Sequence, residues 1–277
     1  KQATPAVKPA PVAYGKALTE FNHGAALLEQ YDYPEAAKAF EKVLQLAPNW
    51  TAARFNLGVA YLNTHEELDT ARRLELARQA FEAVLKAEPN NLHGRFCLGL
   101  YYQHLGNNEK ALECFQAVYH GDDRDPYVAY KCGEVLAALR RNADAVKMFE
   151  RAIQIDPGFV SAIYRLAMEY QRMNQPEKAE TLFDRFSALS AAELTGGTAT
   201  VQKVYGMSGK YSMAIGASSL PLSPPEQTRP RRVVFSPRIE RLSLAATPWK
   251  WKGGEVNVPG IAVGDIDGNG SMDICTA

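Results

Sequence analysis

The chain has 277 residues, 46% of them apolar, with 31 lysines and arginines against 31 aspartates and glutamates. That length and composition suit two ordinary domains, and the balanced charge excludes the global field that draws nucleic acid or acidic substrates to a basic surface. The longest apolar runs fall well short of the roughly 18 residues that a membrane-spanning helix requires.

Residues 1–16 are rich in Pro and Ala, with Pro5, Pro9 and Pro11 among them, and read as an extended linker. An export signal or lipid anchor could have preceded Lys1 and been removed.

From residue 17 a sparse pattern recurs: a small residue, then Ala, Phe and usually Pro at matching distances. Its copies are Gly24, Ala36, Phe40, Pro48; then Gly58, Ala77, Phe81, Pro89; then Gly99, Ala111, Phe115, with a late Pro126; then Gly133, Ala145, Phe149, Pro157; and finally Ala167, Ala179, Phe183. Small residues at two fixed points let a pair of antiparallel helices approach closely, and the Phe is expected to fill the space between one hairpin and the next. Each second helix opens on a capping signal: Asp32 before Pro34 and Glu35, Asn107 before Glu109, Asn142 before Asp144, Asn174 before Pro176 and Glu177. Pro48, Pro89 and Pro157 end their hairpins, because a residue preceding proline is driven out of helical geometry. The second copy carries an insertion of about two helical turns. Its second helix is therefore expected to start early, near the Thr64-His65-Glu66-Glu67 capping box.

These residues resemble the tetratricopeptide repeat family, built from helix-turn-helix units of about 34 residues. The resemblance covers residues 17–189. It implies a mainly α solenoid of about five helical hairpins, each unable to bury its apolar face alone, whose first helices line a concave groove for a protein or peptide segment. Matching first-helix positions make Phe21, Phe55, Phe96, Tyr130 and Tyr164 the expected groove residues, as aromatic anchors that give contact area at low entropic cost. An aromatic at that position can equally pack on its neighbour. Family members that grip terminal carboxylates use a Lys/Asn/Asn/Lys/Arg clamp; here the corresponding positions read Phe21, Ala25, Asn56, His93 and Cys97, and only Asn56 matches. An apolar or mixed ligand is expected instead.

Cys97, Cys114, Cys132 and Cys275 form no Cys-x-x-Cys pair and no zinc-spaced cluster. Cys132 reads as a small core filler, with a Cys114–Cys132 bridge as the less favoured alternative. His23, His65, His93, His104 and His120 are scattered outside any nucleophile or metal motif, and there is no Gly-rich phosphate loop. Catalysis within this chain is not expected.

Residues 190–257 lose the helical period and read as a linker with short strands. Within it, the stretch from Lys210 to Ile215 suits either short strands or a degenerate capping hairpin, and Ser218–Pro230 is a proline-rich connector. Arg229, Arg231, Arg232, Arg238 and Arg241 make the one basic cluster. It reads as the charged flank of a strand or as a site for an anionic partner.

In residues 258–277, oxygen ligands alternate: the side chains of Asp265, Asp267 and Asn269, the carbonyl of Ser271, then Asp273, with Gly270 allowing the sharp turn. Such spacing serves a hard cation that wants six to eight oxygens, and three carboxylates so close repel one another without one. Strand-like flanks, and Thr276 where an EF-hand needs Glu, exclude the EF-hand. An Asp/Asn/Gly-rich hairpin without metal is the alternative. The segment resembles one FG-GAP or VCBS repeat, the calcium-bearing strand-loop-strand unit of β-propellers. That resemblance implies calcium and an incomplete propeller, since closure needs several blades. The expectation for the whole is a non-catalytic interaction scaffold, or a calcium-dependent adhesion protein whose propeller does the recognising. Loops of this kind suit compartments with millimolar calcium, so a periplasmic, secreted or cell-surface location is expected.

Overall fold

The computed structural model describes residues 11–64, 70–195, 209–217, 261–264 and 273–276. Ten helices make five successive hairpins: α1 (Pro11–Glu29) with α2 (Tyr33–Leu46), α3 (Thr51–Asn63) with α4 (Thr70–Ala87), α5 (Leu92–His104) with α6 (Asn108–Gly121), α7 (Pro126–Ala138) with α8 (Asn142–Ile155), and α9 (Val160–Arg172) with α10 (Pro176–Thr195). A 3-10 turn, Lys210–Ser212, and two strands, β1 (Ile261–Gly264) and β2 (Asp273–Thr276), come after them. The chain divides into two units, Lys1–Gln227 and Thr228–Ala277.

Each helix packs on the next in sequence, and α1 also touches α3, α3 touches α5, and α7 touches α9. The odd-numbered helices therefore crowd together and form the inner face of the array. Within a hairpin the recurring glycine makes room for the recurring phenylalanine. A Cβ on Gly24, Gly58, Gly99 or Gly133 would come within 2.9, 2.6, 2.7 and 2.6 Å of the rings of Phe40, Phe81, Phe115 and Phe149, all of them fully buried together with Ala36, Ala77, Ala111 and Ala145. The Phe thus seals its own hairpin, which corrects the expectation that it fills the space between one hairpin and the next. Where Ala167 replaces the glycine, Ala179 stays buried but Phe183 is only half-buried, on the terminal helix α10.

The turn inside a hairpin is equally regular. Tyr31, Gly106, Arg140 and Asn174 adopt positive φ of 63°, 73°, 61° and 55°, and the next residue's N–H reaches back to the carbonyl of Leu27, Tyr102, Leu136 or Tyr170 at 2.9 Å. This left-handed stop satisfies carbonyls that the helix end would leave orphaned. Asp32 and Asn107 then cap the second helix through the N–H groups of Glu35 (3.3 Å) and Lys110 (3.2 Å).

Several expectations are corrected. α1 starts at Pro11, so residues 11–16 are helical rather than linker, and α10 continues past residue 189 to Thr195. Asn142 lies inside α8, whose N-cap is Arg141 without a side-chain bond, and Asn174 ends α9 instead of capping α10. Pro126 opens α7 behind its cap Asp125; Asp123 stands where the first, second and fourth hairpins carry their terminating proline. Thr64 serves α3, its hydroxyl donating to the Ala60 carbonyl at 2.8 Å, and α4 is described from Thr70 onward. The rest of that capping box, residues 65–69, lies outside the described residues. Cys97, Cys114 and Cys132 are free thiols, so the Cys114–Cys132 bridge is not made.

In the second unit, β1 and β2 pair antiparallel with Ile261 opposite Thr276 and Gly264 opposite Asp273. Asp265, Asp267, Asn269 and Ser271, like the arginines between 229 and 241, lie outside the described residues.

Candidate functional site

The inner face carries a groove on α3, α5 and the α6–α7 connection, and residues 209–217 of the same chain lie in it. Asn56, on α3, is fully buried and clasps the backbone of Ile215: its Nδ2 donates to the carbonyl at 2.9 Å and its Oδ1 accepts the N–H at 2.8 Å. One turn-spaced pair on α5 meets the preceding stretch. The Cys97 thiol donates to the Tyr211 carbonyl at 3.4 Å, and the His93 ring stands edge-on to the Tyr211 ring at 5.0 Å. Phe96 lies tilted against the same ring at 5.9 Å.

The connection between α6 and α7 supplies the acids. Asp122 accepts the Tyr211 hydroxyl at 2.7 Å and pairs with the Lys210 ammonium at 2.6 Å. Asp125, while capping α7 through the Val128 N–H at 3.1 Å, lies 3.5 Å from the same ammonium, which also rests 4.9 Å above the Tyr211 ring. Gly209 has φ of +88°, and a Cβ there would meet Tyr127 at 2.7 Å, so both backbone and space demand glycine. Ala214, Ile215 and Ala217 rest on the core of the first hairpins, whereas Met213 is 41% exposed. The stretch Lys210–Ile215 is thus a single 3-10 turn that leaves through extended backbone at Met213 into irregular chain, neither a strand nor a capping hairpin.

The groove is electrostatically quiet at its floor and acidic at one end. The Lys210 ammonium, and then the Tyr211 hydroxyl, hold the Asp122 carboxyl below its ordinary range. Burial, and then the bond to Asp122, push the Tyr211 phenol up to about 12. Burial lowers the His93 imidazole, partly offset by the Tyr211 backbone, and burial alone pushes the Cys97 thiol far up. A raised thiol beside a neutral imidazole is the reverse of the low-pKa thiolate that nucleophilic chemistry requires. The floor is built to hold neutral backbone and an aromatic ring.

Of the expected groove residues, Phe21, Phe55 and Phe96 are core. Each is at most 1% exposed and packs on its own hairpin's phenylalanine, Phe40 at 5.6 Å, Phe81 at 5.8 Å and Phe115 at 5.2 Å between ring centroids. The reason is that the ring over the glycine needs an aromatic neighbour one turn earlier on the first helix, and Trp50 stacks on Phe21 from the following hairpin at 4.2 Å. Tyr130 and Tyr164 do reach the surface. With Val160, Ser161, Arg165 and Phe186 they line a cleft of about 280 Å³. Of the clamp positions, Asn56 clasps the Ile215 backbone at two points and Cys97 reaches the Tyr211 carbonyl with its thiol. Asp122 and Asp125 were not singled out by the sequence, and Lys210 to Ile215 was read as strands or a capping hairpin and not as a groove segment; the missing proline at position 123 was the available signal that this connection differs from its counterparts.

Sequence models of the tetratricopeptide repeat family match residues 21–91, 66–129 and 98–158, and a second model of the same family matches residues 136–190. The peroxisomal targeting signal receptor of Candida glabrata is 32% identical over 89 residues, which is 32% of this chain and 15% of that receptor. Its counterpart from Eremothecium gossypii is 29% identical over 135 residues, 48% of this chain and 21% of the receptor. The chain therefore matches only a minor part of these relatives. Among solved structures, MamA superposes with a TM-score of 0.55 at 19% identity over 62% of this chain and 96% of that one. MamA from Desulfovibrio magneticus RS-1 gives 0.58 at 18% over 64% and 97%. At such identities the likeness concerns the fold. Since the family's models together run without a break from residue 21 to residue 190, this chain belongs to the tetratricopeptide repeat family.

Proposed function

We propose that the chain is a non-catalytic protein-interaction scaffold whose inner helical face takes an extended polypeptide segment. The observation that carries this reading is the two-point clasp of Asn56 on the Ile215 backbone. A side-chain amide that satisfies both the donor and the acceptor of one residue reads main chain, and so accepts many sequences in extended form. The partial likeness to receptors named for a targeting signal favours a short segment of protein as the ligand. Peptides selected from a random display library against the full chain, then cross-linked to it, should attach to α3, α5, α7 and α9. Attachment confined to α2, α4, α6 and α8, or failure to select any peptide, would overturn the reading.

The second unit extends the proposal. We infer that Asp265, Asp267, Asn269, the Ser271 carbonyl and Asp273 hold calcium at the start of a propeller-type module, and that the protein works where calcium is plentiful, in the periplasm, in secretion or at the cell surface. The antiparallel pairing of Gly264 with Asp273 supports it, because it draws together the ends of the segment that carries the ligands. Titration of the full chain with terbium or calcium should reveal a site in about the 10⁻⁴–10⁻³ M range typical of extracellular modules, lost in Asp267→Ala. Equal binding by Asp267→Ala, or none by either protein, sinks the calcium assignment and leaves the groove untouched. A calcium-dependent adhesive role for that module, with the array as its spacer, remains the second reading.

A further inference from the structure

We propose that Gly209–Ala217 is an intramolecular ligand, a latch that keeps the groove closed until a partner segment of the same chemistry displaces it. The inference rests on reading the inner face as a peptide site. It also fixes the partner: a cation directly before an aromatic residue with a hydrogen-bonding hydroxyl, then extended chain with an aliphatic side chain four residues after the aromatic one.

Three features distinguish an exchangeable ligand from a fixed part of the core. First, the hairpins close without the segment. Each glycine is covered by the phenylalanine of its own hairpin, and Phe55 and Phe96 pack on Phe81 and Phe115. Second, the side chains that hold the segment most directly, Asn56 and Asp122, turn their polar atoms to it, although Asp122 also accepts the Arg124 N–H and Asp125 also caps α7. Both hydrogen bonds of the Asn56 amide go to Ile215, and the Asp122 carboxylate takes both Lys210 and Tyr211. An amide and a carboxylate on an inner face would be hydrated with the segment gone, so release leaves no buried polar group stranded. Third, the segment is thinly attached. Its contacts are one aromatic ring with bonds to Asp122 and the Cys97 thiol, one lysine, 57% accessible, that pairs with Asp122 and Asp125, one backbone clasp, and small aliphatic contacts, while Met213 and Gly216 face out. Segments with few buried contacts open at the low end of a protein's stability range.

Recognition divides cleanly along the segment. Asp122 and Asp125 select the cation, the walls formed by His93, Phe96 and the Cys97 thiol take the ring, the Tyr211 hydroxyl is read by Asp122, and Asn56 fixes the register of the extended stretch beyond the ring. A ligand that is part of the same chain competes at a high effective concentration. The apparent affinity for an outside segment is then reduced by the fraction of molecules whose groove is open.

The test uses the full chain and a fluorescein-labelled peptide with the sequence of Gly209–Ala217. In the double variant Lys210→Ala, Tyr211→Ala the groove is freed, and fluorescence anisotropy should show about tenfold or tighter binding than for the parent chain. Adding Asn56→Ala should abolish that gain. Independently, maleimide labelling of Cys97, read by peptide mass mapping, should accelerate about tenfold in the double variant, since the thiol is covered by the Tyr211 backbone in the closed form. Lys210→Glu, an exposed change that sets the segment against Asp122 and Asp125, should give the same two effects to a smaller degree. Equal peptide binding by parent and variants would mean the segment does not reserve the groove, and the latch falls while the peptide-site reading stands. The latch is also overturned by unchanged Cys97 protection in both variants, or by loss of the helical circular-dichroism signal in both. Library peptides that attach only to the outer helices would remove the peptide site itself, and the latch with it.

Discussion

Phe149→Ala should destabilise the array by about 4 kcal/mol, within the range for removing a fully buried aromatic ring. By the size scaling of melting temperatures this lowers the midpoint by about 10 °C. Phe149 lies at the centre of the fourth hairpin, with no exposed surface, its ring against Tyr130 at 5.8 Å and against Gly133 so closely that an added Cβ would sit 2.6 Å away. Truncation leaves a cavity that neither neighbour can fill, because the backbone of α7 at Gly133 is already as near as its partner allows. The reciprocal change tests the same contact from the other side. Gly133→Ala would gain up to about 1 kcal/mol of helix propensity, yet it must move a buried ring, and overpacking costs about 1–3 kcal/mol; net destabilisation is expected. Phe183→Ala, at the half-buried end of the stack, should cost about 2 kcal/mol. Thermal unfolding monitored by circular dichroism checks all three. Because each hairpin is held by its neighbours, the Phe149 variant should also unfold over a broader range, its two ends melting separately. A Phe183 variant as damaging as the Phe149 one would mean that burial inside the stack does not govern these positions.

The array was legible in the sequence because its signal is a steric one. A glycine under a ring and an alanine beside it leave few alternatives, and their 34-residue recurrence from Gly99 to Gly133 and from Gly133 to Ala167 survives. Turns were read less well. Asn142 and Asn174 look like Asp32 and Asn107 as capping residues, but only the backbone decides which residue takes the left-handed position, and that position went to Arg140 and Asn174. The groove was legible at Asn56 and, of the expected aromatics, at Phe96, which meets the Tyr211 ring. Phe21, Phe55 and Phe96 share a position with Tyr130 and Tyr164, and the sequence cannot tell that the first three are sealed by Trp50, His93 and Tyr211 while the last two line a cleft. Tyr211 itself lies more than a hundred residues from Cys97, and no local period announces that a Gly-Lys-Tyr-Ser stretch returns to α5. Long-range return of a chain onto its own surface is a tertiary choice without a short-range mark.

Glu134→Ala should cost about 3 kcal/mol, the lower end of the range for removing one member of a buried ion pair. Glu134 and Lys131 are 14% and 16% exposed at the side chain and 2.8 Å apart. The same carboxylate accepts the Tyr130 hydroxyl at 3.0 Å and the Arg165 guanidinium at 3.2 Å. Removing it strands the Lys131 ammonium in a place water reaches poorly, and releases the tyrosine that forms one wall of the open cleft. The same contacts set the pH dependence. Burial by itself would raise the Glu134 carboxyl, but the charges of Lys131 and Arg165 and the hydroxyl of Tyr130 outweigh it and hold the group below its ordinary 4.5. A depressed carboxyl contributes stability that is complete above the ordinary value and disappears as the pH falls through the folded one. Melting temperature should therefore fall on acidification below about pH 4.5, and Glu134→Gln, which keeps the shape and loses the charge, should flatten that fall while lowering the neutral-pH plateau. Were the acid limb of the Gln variant to run parallel to that of the parent chain, its protons would be taken up elsewhere. Asp122 is then the group to examine, because Lys210 and the Tyr211 hydroxyl hold its carboxyl down, and its protonation would weaken the hold on the latch.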